Sequence, residues 1–321
     1  MSQRILLTGG NGFLGRHLAA ELRQRGHVVT ITDKDHVDLR DVVRCDVREF
    51  RQLTAVIEHA RPDIVYHLAA EFGRRNGEEF YEELWATNAI GTKHLLRLQE
   101  RYRFRLIFTS SSEIYGDYGG VMAEDVPDRV PLRQLNEYAI SKWVNELQIL
   151  NSASRAGTQS VRVRLFNIYG PGEEYTPYRS ALCVFLYHAL HGLPLTVYRT
   201  HRRTSCYVAD AIRTLTNIPD RFHDGEVYNI AGLAPHDMES VARRILLLTG
   251  ASPSLLHIEP QEAHNTVHKQ PDTRKAVRDL GHQETTSLEE GLHQTMIWQR
   301  DYYHVPVPST APVAANALKI P

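Results

Sequence analysis

The sequence predicts an α/β protein: a doubly wound parallel sheet wrapped by helices on both faces, followed by a smaller, partly interleaved C-terminal lobe. Three observations carry that reading. Strand-like apolar runs alternate with helical periodicity through the first half of the chain, the βαβ rhythm of a parallel sheet. Residues 5–15, Ile-Leu-Leu-Thr-Gly-Gly-Asn-Gly-Phe-Leu-Gly, place Gly9, Gly12 and Gly15 directly after an apolar run. Asp33 then closes a second strand, about twenty residues after the glycine turn.

Each element has its own signal. Arg4–Thr8 reads as a buried strand that ends in a tight turn and opens a helix near Phe13. Val28–Thr32 is the second strand, a short mixed run precedes Asp46-Val47, and Asp63–Leu68 is a strand after Arg61-Pro62. A long helix is predicted from Phe80 to Arg103, with Trp85, Asn88, Leu95 and Leu98 on related faces. Arg105–Thr109 reads as a strand, Leu135–Arg155 as a helix and Val161–Phe166 as a strand again. In the second half Ser180–His191 is a helix stopped by Gly192 and Pro194, and Leu195–Tyr198 a short strand. Tyr207–Asn217 is helical, Val227–Ile230 a strand, and Met238–Thr249 a helix ended by Gly250. Ser287–Trp298 closes the folded part, with Leu288, Leu292 and Met296 at helical spacing.

Composition narrows the class. With 321 residues, 42% of them hydrophobic, the chain can bury a full core. A net charge of −1 excludes a general binder of nucleic acid or anionic membranes. No apolar run approaches the ~20 residues of a membrane span. Met1-Ser-Gln-Arg leads straight into a strand without a secretory signal, so a cytoplasmic enzyme is expected. Cys45, Cys183 and Cys206 are odd in number and widely spaced, which fits a reducing compartment. Neither they nor the 17 histidines show metal-ligand spacing, and no metal is expected.

Three motifs carry chemistry. In the glycine turn, Gly9 permits the bend, Gly12 lets backbone amides approach a pyrophosphate, and Gly15 lets the helix pack on the sheet. The positive end of that helix then faces a phosphate pair, as in a Rossmann-type dinucleotide site. Asp33 is placed to accept hydrogen bonds from ribose hydroxyls, which favours NAD; Arg16 and Lys34 keep NADP open. Tyr138 and Lys142, four residues apart, share one helix face. A tyrosine titrates near 10, and a neighbouring ammonium together with a positively charged nicotinamide would lower that value. The third motif, Thr109-Ser-Ser-Ser-Glu-Ile-Tyr-Gly116, lies at a strand end, where open parallel sheets bind ligands. A serine there can share a proton with the tyrosine, and alternation along a strand would turn Ser111 and Glu113 the same way and Ser112 elsewhere.

With these pieces in this order the chain resembles the extended short-chain dehydrogenases/reductases that modify nucleotide sugars. The resemblance also rests on His67-Leu-Ala-Ala70, Asn88, Phe166-Asn-Ile-Tyr-Gly-Pro171, Arg203-Thr-Ser-Cys-Tyr-Val-Ala-Asp210 and Ser287-Leu-Glu-Glu-Gly-Leu292, and covers about residues 3–300. It implies a catalytic Ser111, Tyr138 and Lys142. It implies an NAD site that adds Phe13, Leu14, Asp46, Val47, Leu68, Ala69, Ala70 and Asn88 to the glycines and Asp33. The substrate is expected to be a nucleotide-diphosphate sugar, met by Asn167 and Arg203, with Arg199 and Arg202 as rivals for its phosphates and Glu71 and Ser112 near the sugar. Here Tyr198-Arg-Thr-His-Arg-Arg203 is shorter and more basic than the family's glycine-containing loop, and Arg203-Thr-Ser replaces Arg-Asp-Phe. Glu113 after Ser112 points to a 4,6-dehydratase or a uronate decarboxylase, with a 4-epimerase as alternative and a simple NAD(P)H reductase as a further one. In each sugar-modifying branch the sugar passes through a 4-ketone and NAD is recycled; in the 4,6-dehydratase branch Glu113 is the expected base at C5. Residues 1–166 are expected to form the NAD-binding part, 167–304 mainly the substrate lobe, and 305–321 a flexible tail. A homodimer is expected through helices around 80–103 and 135–155.

Overall fold

The computed structural model describes residues 2–35, 42–260, 262 and 265–306. The predicted tail from residue 307 onward lies outside the described residues. Seven parallel strands form the central sheet: β1 (Arg4–Thr8), β2 (Val28–Asp33), β3 (Val42–Arg44), β4 (Ile64–His67), β5 (Arg105–Ser111), β6 (Ser160–Leu165) and β7 (Val227–Ile230). Their order across the sheet is β7-β6-β5-β4-β1-β2-β3. The direction of winding reverses between β1 and β4, and a crevice opens there beyond the carboxyl ends of the strands. Strands buried on both faces read as continuous apolar runs, and all four residues of β4, Ile-Val-Tyr-His, are buried.

Successive side chains leave a strand on opposite faces, and two cores follow from this. Ile5 and Leu7 pack with Leu18 and Leu22 of α1 (Phe13–Gln24) on one face. Leu6 packs on the other with Leu53 of α2 (Phe50–Ala60) and Leu95 of α3 (Thr92–Tyr102). A third core lies in the C-terminal half, where α5 (Ala181–Leu190), α6 (Met238–Thr249) and α7 (Leu288–Tyr302) share Leu186, Ile245 and Met296 with the strand Leu195–Tyr198. The chain interleaves, because β7 returns to the main sheet beside β6. No helix among the described residues is long and apolar enough to cross a membrane.

The long helix expected over 80–103 is broken into a short turn Tyr81–Leu84, a π-helix Trp85–Gly91 and α3. The wider π turn carries Asn88, whose side chain accepts from Glu71 N at 2.9 Å and donates to Glu71 O at 2.9 Å and to Ser141 Oγ at 3.0 Å. Helix α2 and a helix at Arg274–Leu280 had no counterpart in the sequence reading.

The helix α4 (Glu137–Ala156) crosses the sheet over β5 and β6, with Asn136 capping its first turn by accepting from Ala139 N at 2.8 Å. Tyr138, Lys142 and Glu146 succeed one another at four-residue intervals on its inner face. Glu146 is fully buried and accepts from Arg164 Nε at 3.0 Å, Arg164 Nη2 at 2.8 Å and the Ser110 hydroxyl, with Arg162 at 3.4 Å. Burial would push this carboxyl up, but Arg164, Arg162 and Ser110 outweigh it and hold it below the usual carboxylate range.

Glu146→Ala strands the Arg164 guanidinium in the core and should cost about 3–5 kcal/mol of stability, read as a lowered midpoint in urea unfolding. The folded-state value lies below the unfolded one, so this stabilisation is present above the ordinary carboxylate range and is lost as pH falls through the folded value. The variant should therefore lose less stability than the wild type on acidification.

Candidate active site

The carboxyl ends of the strands open into one groove of about 900 Å³. At its mouth Gly9 adopts φ +67°, and a Cβ there would come within 2.6 Å of Ala69 N. At Gly15 a Cβ would meet Gly10 Cα at 2.5 Å, so only glycine lets α1 sit this close to the turn. The first turn of α1 carries no acidic residue and no side-chain cap, which leaves its amides and positive dipole end facing the groove beside Phe13 and Leu14. Asp33 joins this turn, its carboxylate accepting from Asn11 N at 3.1 Å. Val47, Leu68, Ala69 and Ala70 line the same wall. An amide-rich helix end for a pyrophosphate, a carboxylate for ribose hydroxyls and an apolar wall fit a dinucleotide.

Other expected cofactor residues are placed differently. Asn88 does not line the groove, its amide being spent on Glu71 and Ser141 as described above. Asp46 lines it, but its carboxylate is taken by Arg48 at 2.7 and 2.9 Å. Glu71 faces the groove from the segment after β4 and reaches Lys34 beyond β2 at 2.8 Å, tying the two lips together.

The residues expected to handle protons converge deeper. Ser111, Tyr138 and Lys142 line one wall. Lys142 Nζ donates to Thr109 O at 2.8 Å and stands 5.9 Å from the centre of the Tyr138 ring. Burial pushes the Lys142 ammonium down to about 7, with Glu146 opposing. Burial also pushes the Tyr138 phenol up to about 12, the Ser111 hydroxyl pulling it down and Glu113 adding to the rise. In this arrangement desolvation dominates both groups, and the lysine points its charge at a strand carbonyl.

Glu113 also departs from expectation. Strand β5 ends at Ser111, and Ser112–Tyr115 form a 3₁₀ turn capped by Ser111 Oγ, which accepts from Glu113 N at 3.2 Å. Strand alternation thus fails beyond Ser111, and Ser111, Ser112 and Glu113 all line the groove. Glu113 is paired with the buried Lys269, and Arg74 and Arg203 lie close by. Burial would raise this carboxyl, yet the three cations hold it at about 2. Lys269 is itself brought down to about 8 by burial, with Glu113 opposing. Sequence reasoning missed Lys269, Arg74 and the latter's partner Glu262 at 3.1 Å. Lys269 stands 156 residues from Glu113, and no local spacing could signal the pair.

Of the basic loop, Arg203 alone among the three expected arginines lines the groove; Arg199 and Arg202 are exposed and face elsewhere. Asn167 lines it too, at φ +41°, donating to Thr204 O at 2.9 Å. Among the described residues no cluster of side chains could hold a metal ion.

The model of the NAD dependent epimerase/dehydratase family matches residues 5–231. The chain belongs to this family. Its membership makes it an NAD-dependent enzyme and accounts for the dinucleotide groove. It is 32% identical to a UDP-N-acetyl-alpha-D-glucosaminuronate decarboxylase of Bacillus cytotoxicus, over 94% of this chain and 99% of that one. It is 30% identical to UDP-glucuronic acid decarboxylase 1 of Xenopus tropicalis, over 97% of this chain and 77% of that one. Among solved structures it resembles MoeE5 in complex with UDP-glucuronic acid and NAD, with TM-score 0.83 and 27% identity over 93% and 99% of the two chains. An epimerase of Methanothermobacter thermautotrophicus superposes with TM-score 0.86 and 25% identity over 94% of each chain.

The family member should prefer NAD to NADP. Asp33 would repel a 2′-phosphate, and the Lys34 cation is already engaged by Glu71. Calorimetric titration of cofactor-stripped protein should give NAD a dissociation constant at least about tenfold lower, or ~1.4 kcal/mol.

Proposed function

We propose that this enzyme decarboxylates a nucleoside-diphosphate uronate through a 4-keto intermediate. The observation that carries the reading is the buried Lys269, paired with Glu113 and flanked by Arg74 and Arg203. A cationic pocket of this kind suits a sugar that brings its own carboxylate. The decarboxylases named above support the same substrate class.

NAD, held by the glycine turn and Asp33, would supply the oxidation at the sugar C4, its reversal, and a positive charge that would bring the Tyr138 phenol down from about 12. Tyr138 accepts the proton of the C4 hydroxyl, Ser111 shares it, and Lys142 holds the helix face against Thr109 O. Once C4 is a ketone, the C6 carboxylate belongs to a β-keto acid. The C5–C6 bond then breaks, carbon dioxide leaves, and the electron pair moves to the C4 oxygen, where Tyr138 and Ser111 can donate hydrogen bonds. Lys269, at about 8, is poised to give a proton to C5. Glu113 holds and orients that lysine.

A 4,6-dehydratase would need Glu113 as the base at C5, and a carboxylate held at about 2 is a poor one. A 4-epimerase has no use for a buried acid at C5. The same electrostatics thus favour decarboxylation over both alternatives. Cys45, Cys183 and Cys206, all buried and unbridged, suit a reducing cytoplasm. The chain is proposed to form a homodimer, because Ile90 of the π-helix and Leu147 and Leu150 of α4 expose apolar surface on neighbouring helices. Light scattering at micromolar concentration should give twice the chain mass.

Incubation with UDP-glucuronic acid and UDP-N-acetylglucosaminuronic acid in deuterated water should release carbon dioxide and leave one solvent deuterium at C5. An epimerised acid without deuterium would reject the reading. Tyr138→Phe should cut turnover by 10²-fold or more while NAD remains bound.

A further inference from the structure

His201 is 4% exposed, lines the groove, and lies in the basic loop between Tyr198 and Arg203. Its Nδ1 faces Arg203 Nη2 at 3.4 Å. A guanidinium can only donate, so Nδ1 accepts, and the proton of a neutral ring sits on Nε2. Burial and the Arg203 charge hold the ring neutral, its value pushed down to about 4. Nε2–H is a buried donor with no partner among the described residues, and such a group is costly to leave unpaired.

Arg203 meanwhile is spent on the protein. Its Nη1 donates to Arg202 O at 2.9 Å and Val267 O at 2.7 Å, and its Nη2 to Thr266 O at 2.6 Å. A guanidinium committed to three carbonyls has little left for a phosphate. It fixes the tautomer of His201 instead. The groove wall around this ring includes Arg203 and Arg74, so an acceptor meeting Nε2–H there lies in a field that favours negative charge.

We infer that His201 is a specificity-determining residue whose Nε2–H donates to a diphosphate oxygen of the substrate, with Arg203 as the residue that positions it. This rests on the nucleoside-diphosphate reading above. The imidazole delivers a directed neutral donor, so affinity contributed by His201 should stay constant across neutral pH, unlike that of a titrating histidine. Among the described residues Tyr198, His268, Glu262, Arg74 and Arg203 are the charged or titratable groups around it, and of these Arg203 touches the ring nitrogen.

The test is calorimetric titration of UDP and dTDP into NAD-loaded wild type, His201→Gln and His201→Phe. Glutamine keeps an N–H donor near the position of Nε2; phenylalanine keeps the ring and loses the donor. His201→Phe should bind the preferred diphosphate about tenfold or more weakly, and His201→Gln within about threefold of wild type. Uridine, measured by competition, should lose nothing in either variant. Equal diphosphate affinity in wild type and His201→Phe would overturn the role of His201 and leave the substrate class standing. Equal losses in both variants would overturn it in favour of ring packing, and a matching loss for uridine would place the donor on the nucleoside and overturn it too. Failure of the wild type to bind either diphosphate would remove the nucleoside-diphosphate reading, and this assignment with it.

Discussion

The buried carboxylate of Glu146 holds the catalytic half of the molecule together. It clamps α4 to β5 through Ser110 and to β6 through Arg164 and Arg162. With that contact fixed, four-residue spacing dictates that Lys142 reaches Thr109 and that Tyr138 meets the end of β5. Arg164 extends the network, donating to the Tyr115 hydroxyl and to Glu124 O, and Tyr115 in turn donates to Asn229 on β7. One ion pair thus sets the register of a helix, the loop after β5 and the last strand of the sheet. A buried pair of this kind gains little over a well-packed apolar contact. Its worth here lies in permitting one arrangement of the helix on the sheet.

The groove repeats the theme with the opposite balance. At the dinucleotide end the helix dipole and the Asp33 carboxylate face the groove; at the far end Lys269, Arg74 and Arg203 surround Glu113, with Glu262 paired to Arg74. Desolvation displaces Tyr138, Lys142 and Lys269 toward their neutral forms. Each is therefore ready to exchange a proton once a charged partner enters. Perturbed groups gathered in one cleft are what proton chemistry near neutral pH requires.

Much of this was legible in the sequence, and the exceptions share a cause. The sheet, α1, α4 and the glycine turn declare themselves through local periodicity and through glycine chemistry, and Tyr138 and Lys142 through helix spacing. Helix α2 carries Phe50, Leu53, Val56 and Ile57 at helical spacing but follows Glu49 without a capping side chain, so its start is not declared locally. The Lys269–Glu113 pair, the commitment of Arg203 to the 266–267 carbonyls and the withdrawal of Asn88 from the groove all depend on contacts between distant segments. Glu113 lines the groove, but its ionisation is set by cations from three other parts of the chain, which no local spacing declares.

The π-helix at Trp85–Gly91 has a consequence for how the chain tolerates change in length. Each residue of an α-helix advances 1.5 Å and turns about 100°. A seven-residue π segment absorbs a phase offset between the helical turns on either side of it. Deleting one residue there would let the segment relax into continuous α-helix and rotate Asn88 away from Glu71 and Ser141. Surface loops of this enzyme can lengthen or shorten at small cost, whereas this buried turn counts residues.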